Sequence, residues 1–195
     1  MDMPTGSMNA LEAINKRHSV RSYSPQKLDK DTIRALLAAA VRAPTAVHEE
    51  PWAFVVVQDA ALLKRVSDRA KPLFVDEMHR AHLDRGGRAL DIFSQADFNI
   101  FHNAGTLIVI CGKPMGPFVA ADCWLAAENL MLAACAMGLG TCVIGSALAA
   151  LNLPDLKVEI GIPAEYSAIA PIIVGVPAGE GAPSSRKAPQ VLAWK

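Results

Sequence analysis

Five consecutive residues, Arg17-His18-Ser19-Val20-Arg21, carry two guanidiniums, an imidazole and a hydroxyl. The planar donor fork of Arg matches phosphate oxygens, so this cluster is a candidate anion site. A solvated helix end is the plainer alternative that the same chemistry allows. A second group, Ala43-Pro44-Thr45-Ala46 followed by His48-Glu49-Glu50-Pro51-Trp52, is a proline-punctuated polar loop. Loops of this kind carry ligand contacts, and His48 among carboxylates could move a proton or join a metal site. The alternative is a loop of solvent-facing charges with Trp52 as a core anchor. Ser184-Ser185-Arg186-Lys187 is a further small basic point at the far end of the chain.

Other patterns exclude more than they suggest. Gly138 to Gly145 reads GLGTCVIG, which lacks G-x-G-x-x-G spacing and leaves a helix to enter a strand, so it is no dinucleotide fingerprint. There is no P-loop, nucleophile elbow or H-E-x-x-H. His79 and His82 would share a helix face, but no third ligand stands at a recognisable spacing, and no metal site is expected. Cys111, Cys123, Cys135 and Cys142 form no C-x-x-C pair. Cys123 and Cys135 read as packing residues within an apolar helix. Apolar-flanked thiols suit a reducing, cytoplasmic setting. The opening MDMPTGSMNA has no positive region followed by an apolar run, so no signal peptide is expected, and residues 1–7 read as a disordered extension before Met8.

The elements that must position these groups follow from composition and period. The 195 residues suit one domain, and 52% hydrophobic against 19% charged residues excludes a disordered chain. Nineteen basic and nineteen acidic residues give no net charge, so neither a general nucleic-acid surface nor an anionic-membrane surface is expected. Alanine, at 33 residues, outnumbers the 11 aromatics and favours close helix packing over an all-β sandwich. Leu130 to Pro154 is free of charge and long enough to span a bilayer. Gly138, Gly140, Gly145 and Ser146 break it, and its flanks show no positive-inside bias, so it reads as buried core.

Asn9 caps a short helix through Arg17, and Asp29 or Asp31 opens another in which Ile33, Leu36, Leu37, Ala40 and Val41 form an apolar face before Pro44. Strands are expected at Ala53–Gln58, Thr106–Cys111, Thr141–Ile144 and Ala168–Val174, with Pro171 predicting an edge position or a bulge. Leu62, Leu63 and Val66 fit a helix, Ala120–Met137 forms a long one, and Pro154 starts a short one that Gly161 ends. The span 71–103 reads as helical with a break at Gly86-Gly87, and an extended arm begins at Pro177. The sum is an α+β sandwich with helices on a small sheet.

Taken in order, KRHSVRSY, APTAVHEEPWAFVVV, GLGTCVIGS, LPDLKVEIGIP, AIAPIIVGVP and SSRKAPQVLAW resemble the flavin-dependent nitroreductase family. The resemblance runs from Met8 to Trp194, excepting the segment around 71–103. It implies a small mixed, mainly antiparallel sheet flanked by helices, an intertwined homodimer, and one FMN at each of two sites along the subunit interface. Under it, Arg17 and Ser19 hold the FMN phosphate and ribityl chain, with His18 between them. Arg21 stands at the pyrimidine edge, where a cation stabilises the negative charge of the reduced ring. Pro44, Thr45 and Ala46, with His48 in the same loop, reach the partner's flavin. Ile144 and Gly145 lie beside the isoalloxazine, and Arg186 closes the phosphate pocket. No catalytic side chain is assigned.

The chain departs from the family pattern where His48-Glu49-Glu50 replaces Asn-x-Gln and Ser184 replaces a lysine. Asn99 or a neighbour is expected to stand in for a flavin contact of the middle segment. The implied activity is ping-pong electron transfer from NADH or NADPH to a small electron-poor acceptor such as a nitroaromatic or quinone. The alternatives are other chemistry of the superfamily (dehalogenation, dehydrogenation or flavin fragmentation) and a non-enzymatic flavin-binding module.

Overall fold

The computed structural model describes residues 8–83, 88–179, 181 and 185–195. Helix α1 (Ala10–Lys16) starts in a reciprocal cap: the Asn9 side chain accepts the Glu12 amide, and the Glu12 carboxylate accepts the Asn9 amide, each at 3.0 Å. Asp29, rather than Asp31, opens α2 (Lys30–Ala40), accepting the Thr32 amide at 2.7 Å. Strand β1 (Trp52–Val57) leads into α3 (Ala60–Arg80), α4 (Arg88–Asp91) and a 3-10 turn at Ile92–Ser94. Then come β2 (Thr106–Gly112), α5 (Val119–Ala136), β3 (Gly140–Val143), α6 (Leu148–Leu151), α7 (Pro154–Ile160) and β4 (Ser167–Gly175). The expected break at Gly86-Gly87, the extension at 1–7 and the replacement at Ser184 lie outside the described residues.

The sheet runs β1-β2-β4-β3, and every neighbouring pair is antiparallel. Among the described residues the parallel component is one isolated bridge, Ser19 to Thr141, on the outer side of β3. Strand β4 is interior, which corrects the edge position considered for Pro171. The physical reason is local. In a strand the N–H and C=O of one residue point the same way. The Pro171 carbonyl accepts the Ile144 amide at 2.9 Å, one residue past the end of β3, so the missing N–H falls where that ladder has stopped. The bulge, the other alternative, is present nearby: the register passes from Ile110–Ala170 to Cys111–Ala168, leaving Ile169 unpaired. It also reverses the side-chain alternation, so Ala168 faces one core and Ala170, Ile172 and Val174 the other.

Two apolar cores sandwich the sheet. Leu107, Val109 and Cys111 of β2 face α3, α6 and α7, while Ile108 and Ile110 face α2 and α5. This period of two on a strand buried on both faces explains its uninterrupted apolar sequence. Helix α5 is long and apolar enough to cross a membrane by length and composition, yet Cys123, Ala126, Ala127, Leu130 and Ala134 are fully buried against α2 and the sheet. Beyond Ser185 the described chain has neither helix nor strand, as an extended arm should.

Candidate functional site

The chain turns out of α1 at Arg17 (φ −58°, ψ 126°) and becomes extended. The Val20 amide then donates to the Thr141 carbonyl at 2.9 Å, fixing this segment beside β3. Gly140 permits that approach, because a Cβ there would stand 2.8 Å from the Val20 Cβ. Further along, Tyr23 bridges to Pro177, the Ser24 amide donates to the Val176 carbonyl, and the Ala178 amide donates to the Ser22 carbonyl. Segments from both ends of the chain and the α5–β3 turn thereby enclose a hollow of about 200 Å³, lined among others by Lys16, Arg17, His18, Thr141 and Gly181. His18 is steadied through its Nδ1, which lies 3.0 Å from the Lys16 carbonyl. The Arg17 side chain is only 19% exposed, and its one ion pair among the described residues is a long one, 3.8 Å to Glu128. A largely buried guanidinium with no close carboxylate leaves its N–H fork for an anion.

Where β3 ends, Cys142, Ile144 and Gly145 line a second hollow of about 400 Å³, with Arg21, Phe98 and His102 on its other walls. A Cβ on Gly145 would meet nothing within 4 Å, so its backbone borders open space. A third, more polar hollow of about 370 Å³ holds Gln95, Asp97, Asn99 and Asn103, and shares Arg21, Phe98 and His102 with the second. Burial first, and the Arg21 charge second, hold the His102 imidazole below its ordinary range. Burial raises the Cys142 thiol, while Arg21 and a hydrogen bond with Ser19 pull the other way. Rings run in series along one wall: Phe74 to Phe93 at 4.8 Å, Phe93 to Phe98 at 5.4 Å, and Phe98 to His102 at 6.0 Å between centroids.

Arg17, His18, Ser19, Arg21, Ile144 and Gly145 therefore gather along one line beside β3. Within one chain Pro44, Thr45, Ala46 and His48 do not join them. Their loop rests on α5, where the Ala46 amide donates to both oxygens of Asp122 at 3.2 and 3.3 Å. Val47, His48 and Glu50 adopt left-handed backbone (φ 45°, 58° and 46°), which non-glycine residues take only under constraint. His48 and Glu50 are exposed, and among the described residues they form no ion pair with each other. Arg186 is exposed and does not line the 200 Å³ hollow. Asn99 borders the polar hollow, whose lining also includes Arg21. Helix α3 ends at Arg80, so His79 and His82 do not share a helix face, and His82 has φ 52°. Among the described residues no group of three or more His, Cys, Asp or Glu could hold a metal ion.

Sequence reasoning missed Thr141, Cys142, Phe98, His102 and Asp122. A cation-bearing cradle suits a phosphate, and a neighbouring chamber with Arg21 in its lining suits a ring whose edge turns negative on reduction. The chemistry of the residues present fits a phosphate-bearing group such as FMN.

An anion cradle and a second hollow set along β3, at the edge of a small antiparallel sheet, define an α+β protein with two cavities at one sheet edge. The chain belongs to the Nitroreductase family, whose model matches residues 14–176. It is 29% identical over 175 residues to an Archaeoglobus fulgidus protein provisionally named NADH dehydrogenase/NAD(P)H nitroreductase, covering 87% of this chain and 86% of that one. The Bacteroides fragilis nitroreductase with bound FMN superimposes with a TM-score of 0.77 at 25% identity, covering 97% and 98% of the two chains. Iodotyrosine deiodinase bound to FMN and 3-iodo-L-tyrosine shares the fold at 20% identity, with a TM-score of 0.69 over 94% of this chain and 97% of that one.

Proposed function

We propose that the protein is an FMN-dependent oxidoreductase that takes electrons from NADH or NADPH and passes them, in a ping-pong cycle, to nitroaromatics, quinones or similar electron-poor acceptors. The observation that carries this reading is the alignment of the Arg17 cradle and the Arg21 chamber on either side of one bridge to β3. FMN, when bound, supplies the hydride chemistry itself. The chain's part is to hold and bias it. Arg17, His18 and Ser19 take the phosphate end, Arg21 offsets negative charge at the ring edge, and the Ile144–Gly145 backbone supports the ring. The chamber walls exclude water and orient the acceptor.

The working form is a homodimer in the cytoplasm. Trp124 and Leu125 of α5 and Leu11 and Ile14 of α1 are exposed, and so are Leu192 and Trp194 of the arm, at 89% and 91%. Such an apolar surface suits a second copy of this chain. In the dimer Pro44, Thr45, Ala46 and His48 meet the partner's flavin, and Arg186 on the arm reaches a phosphate.

The test is an anaerobic absorbance spectrum of the purified protein, recorded alone, with FMN, and then with NADH or NADPH. Retained flavin that bleaches with either nucleotide and recovers on adding a nitroaromatic or quinone is the expected result. Flavin that stays oxidised would favour the binding-module alternative, and no flavin uptake would overturn the cofactor assignment.

A further inference from the structure

We propose that Ser67 and Lys71 are positioning residues that fasten the wall of the chamber at 95–102 and so limit the size of the acceptor it admits; this rests on the function proposed above. Helix α3 buries two polar side chains, Ser67 at 1% and Lys71 at 8% exposure, one turn apart on the same face. Both spend their polar atoms on a stretch that has no helix or strand of its own. The Lys71 ammonium donates to the Gln95 carbonyl at 3.1 Å and the Phe98 carbonyl at 3.0 Å, and it stands 3.4 Å from the Asp68 carboxylate, which it shares with Lys64 at 2.6 Å. The Ser67 hydroxyl oxygen accepts the Ile100 amide at 3.1 Å.

Irregular backbone near a core must find partners for its polar groups, and here α3 provides them from below. A packing role alone does not account for the lysine, since an apolar side chain of the same length would fill the space without the cost of burying a charge. The fastened stretch carries Phe98, which lines both the apolar chamber and the polar hollow and whose ring meets His102 edge-on. The wall that shares this chamber with Ile144 and Gly145 is thus fixed. An acceptor fits only in the room that Phe98 leaves.

Lys71→Met keeps the stem and removes the donors, Ser67→Ala removes the second fastening, and Lys71→Arg keeps donors within reach. Amide hydrogen exchange and steady-state kinetics with a single-ring and a three-ring nitroaromatic are measured on each. In Lys71→Met, exchange at Ile100 and His102 should quicken about tenfold, the loss of one or two net hydrogen bonds, while β2 stays protected. The ratio of kcat/KM for the large acceptor over the small should rise by about fivefold or more, with flavin retention unchanged. Ser67→Ala should shift both readouts the same way by less, and Lys71→Arg should stay near the parent.

Unchanged exchange at 98–102 in both Lys71→Met and Ser67→Ala would overturn the fastening. Faster exchange with an unchanged acceptor ratio would overturn the size limit. If the unaltered protein takes up no flavin, the size limit falls with the functional reading, while the exchange comparison still decides the fastening.

Discussion

Arg17 is the residue on which the site turns. Its guanidinium is mostly buried, held off from Glu128 at 3.8 Å, and set at the mouth of the cradle. Arg17→Glu should abolish FMN retention while leaving the far-ultraviolet circular dichroism and thermal midpoint close to the parent; an unchanged FMN dissociation constant would remove Arg17 from the phosphate site. The thiols divide by environment. Burial pushes Cys123 up to about 11 and Cys111 up to about 12, so neither holds much thiolate at pH 8. Cys135 is half-buried and lines the cradle, where Arg17 and Lys16 pull against the upward effect of burial. A brief exposure of the native protein to a disulfide reagent at pH 8 should therefore label Cys135 first, as read by peptide mass spectrometry. Added FMN should slow that labelling. Equal labelling of Cys123 would contradict the burial described for it.

At the scale of elements, the loop between α2 and β1 depends on one buried carboxylate. Asp122, 3% exposed on α5, holds the Ala46 amide of a loop whose backbone is left-handed at three non-glycine positions. Asp122→Ala should cost about 1–3 kcal/mol by leaving that amide unpaired, and Asp122→Asn should restore most of it through its side-chain carbonyl, both measured by urea unfolding. A loss of the same size in Asp122→Asn would show that the negative charge, and not the acceptor, holds the loop. Much of the element order was legible beforehand, because β2 and α2 announce themselves by the spacing of apolar side chains and α7 by Pro154 and Gly161. The cap at Asp29 was legible as one of two candidates. The Asp122 anchor was not, since its partner lies 76 residues away and no local period links them. Nor was the interior place of Pro171, which depends on where β3 stops. The Arg17 and Arg21 cluster was visible as chemistry, but its partners Thr141, Cys142 and His102 come from segments that only the folded sheet brings near.

For the whole molecule, the proposed dimer makes the strongest demand on the exposed apolar face. Trp124 and Leu125 stand out from α5 at 42% and 46% exposure. Trp124→Glu should yield a monomer by sedimentation velocity and release FMN as well, since the Pro44–Ala46 loop would no longer face a partner's site. A dimer of unchanged affinity would place the interface elsewhere. The interior position of β4 bears on how the protein comes into being. It is the last strand to be synthesised, yet β3 pairs with no other strand in the sheet, and Pro177 must arrive before Tyr23 has its bridge. A nascent chain that has passed every residue up to α7 still holds an open sheet and half a cradle. Contacts this distant in sequence close late. Translation halted before Ser167 would therefore leave β3 without its partner strand and the Arg17 cradle without the segment that bridges Tyr23.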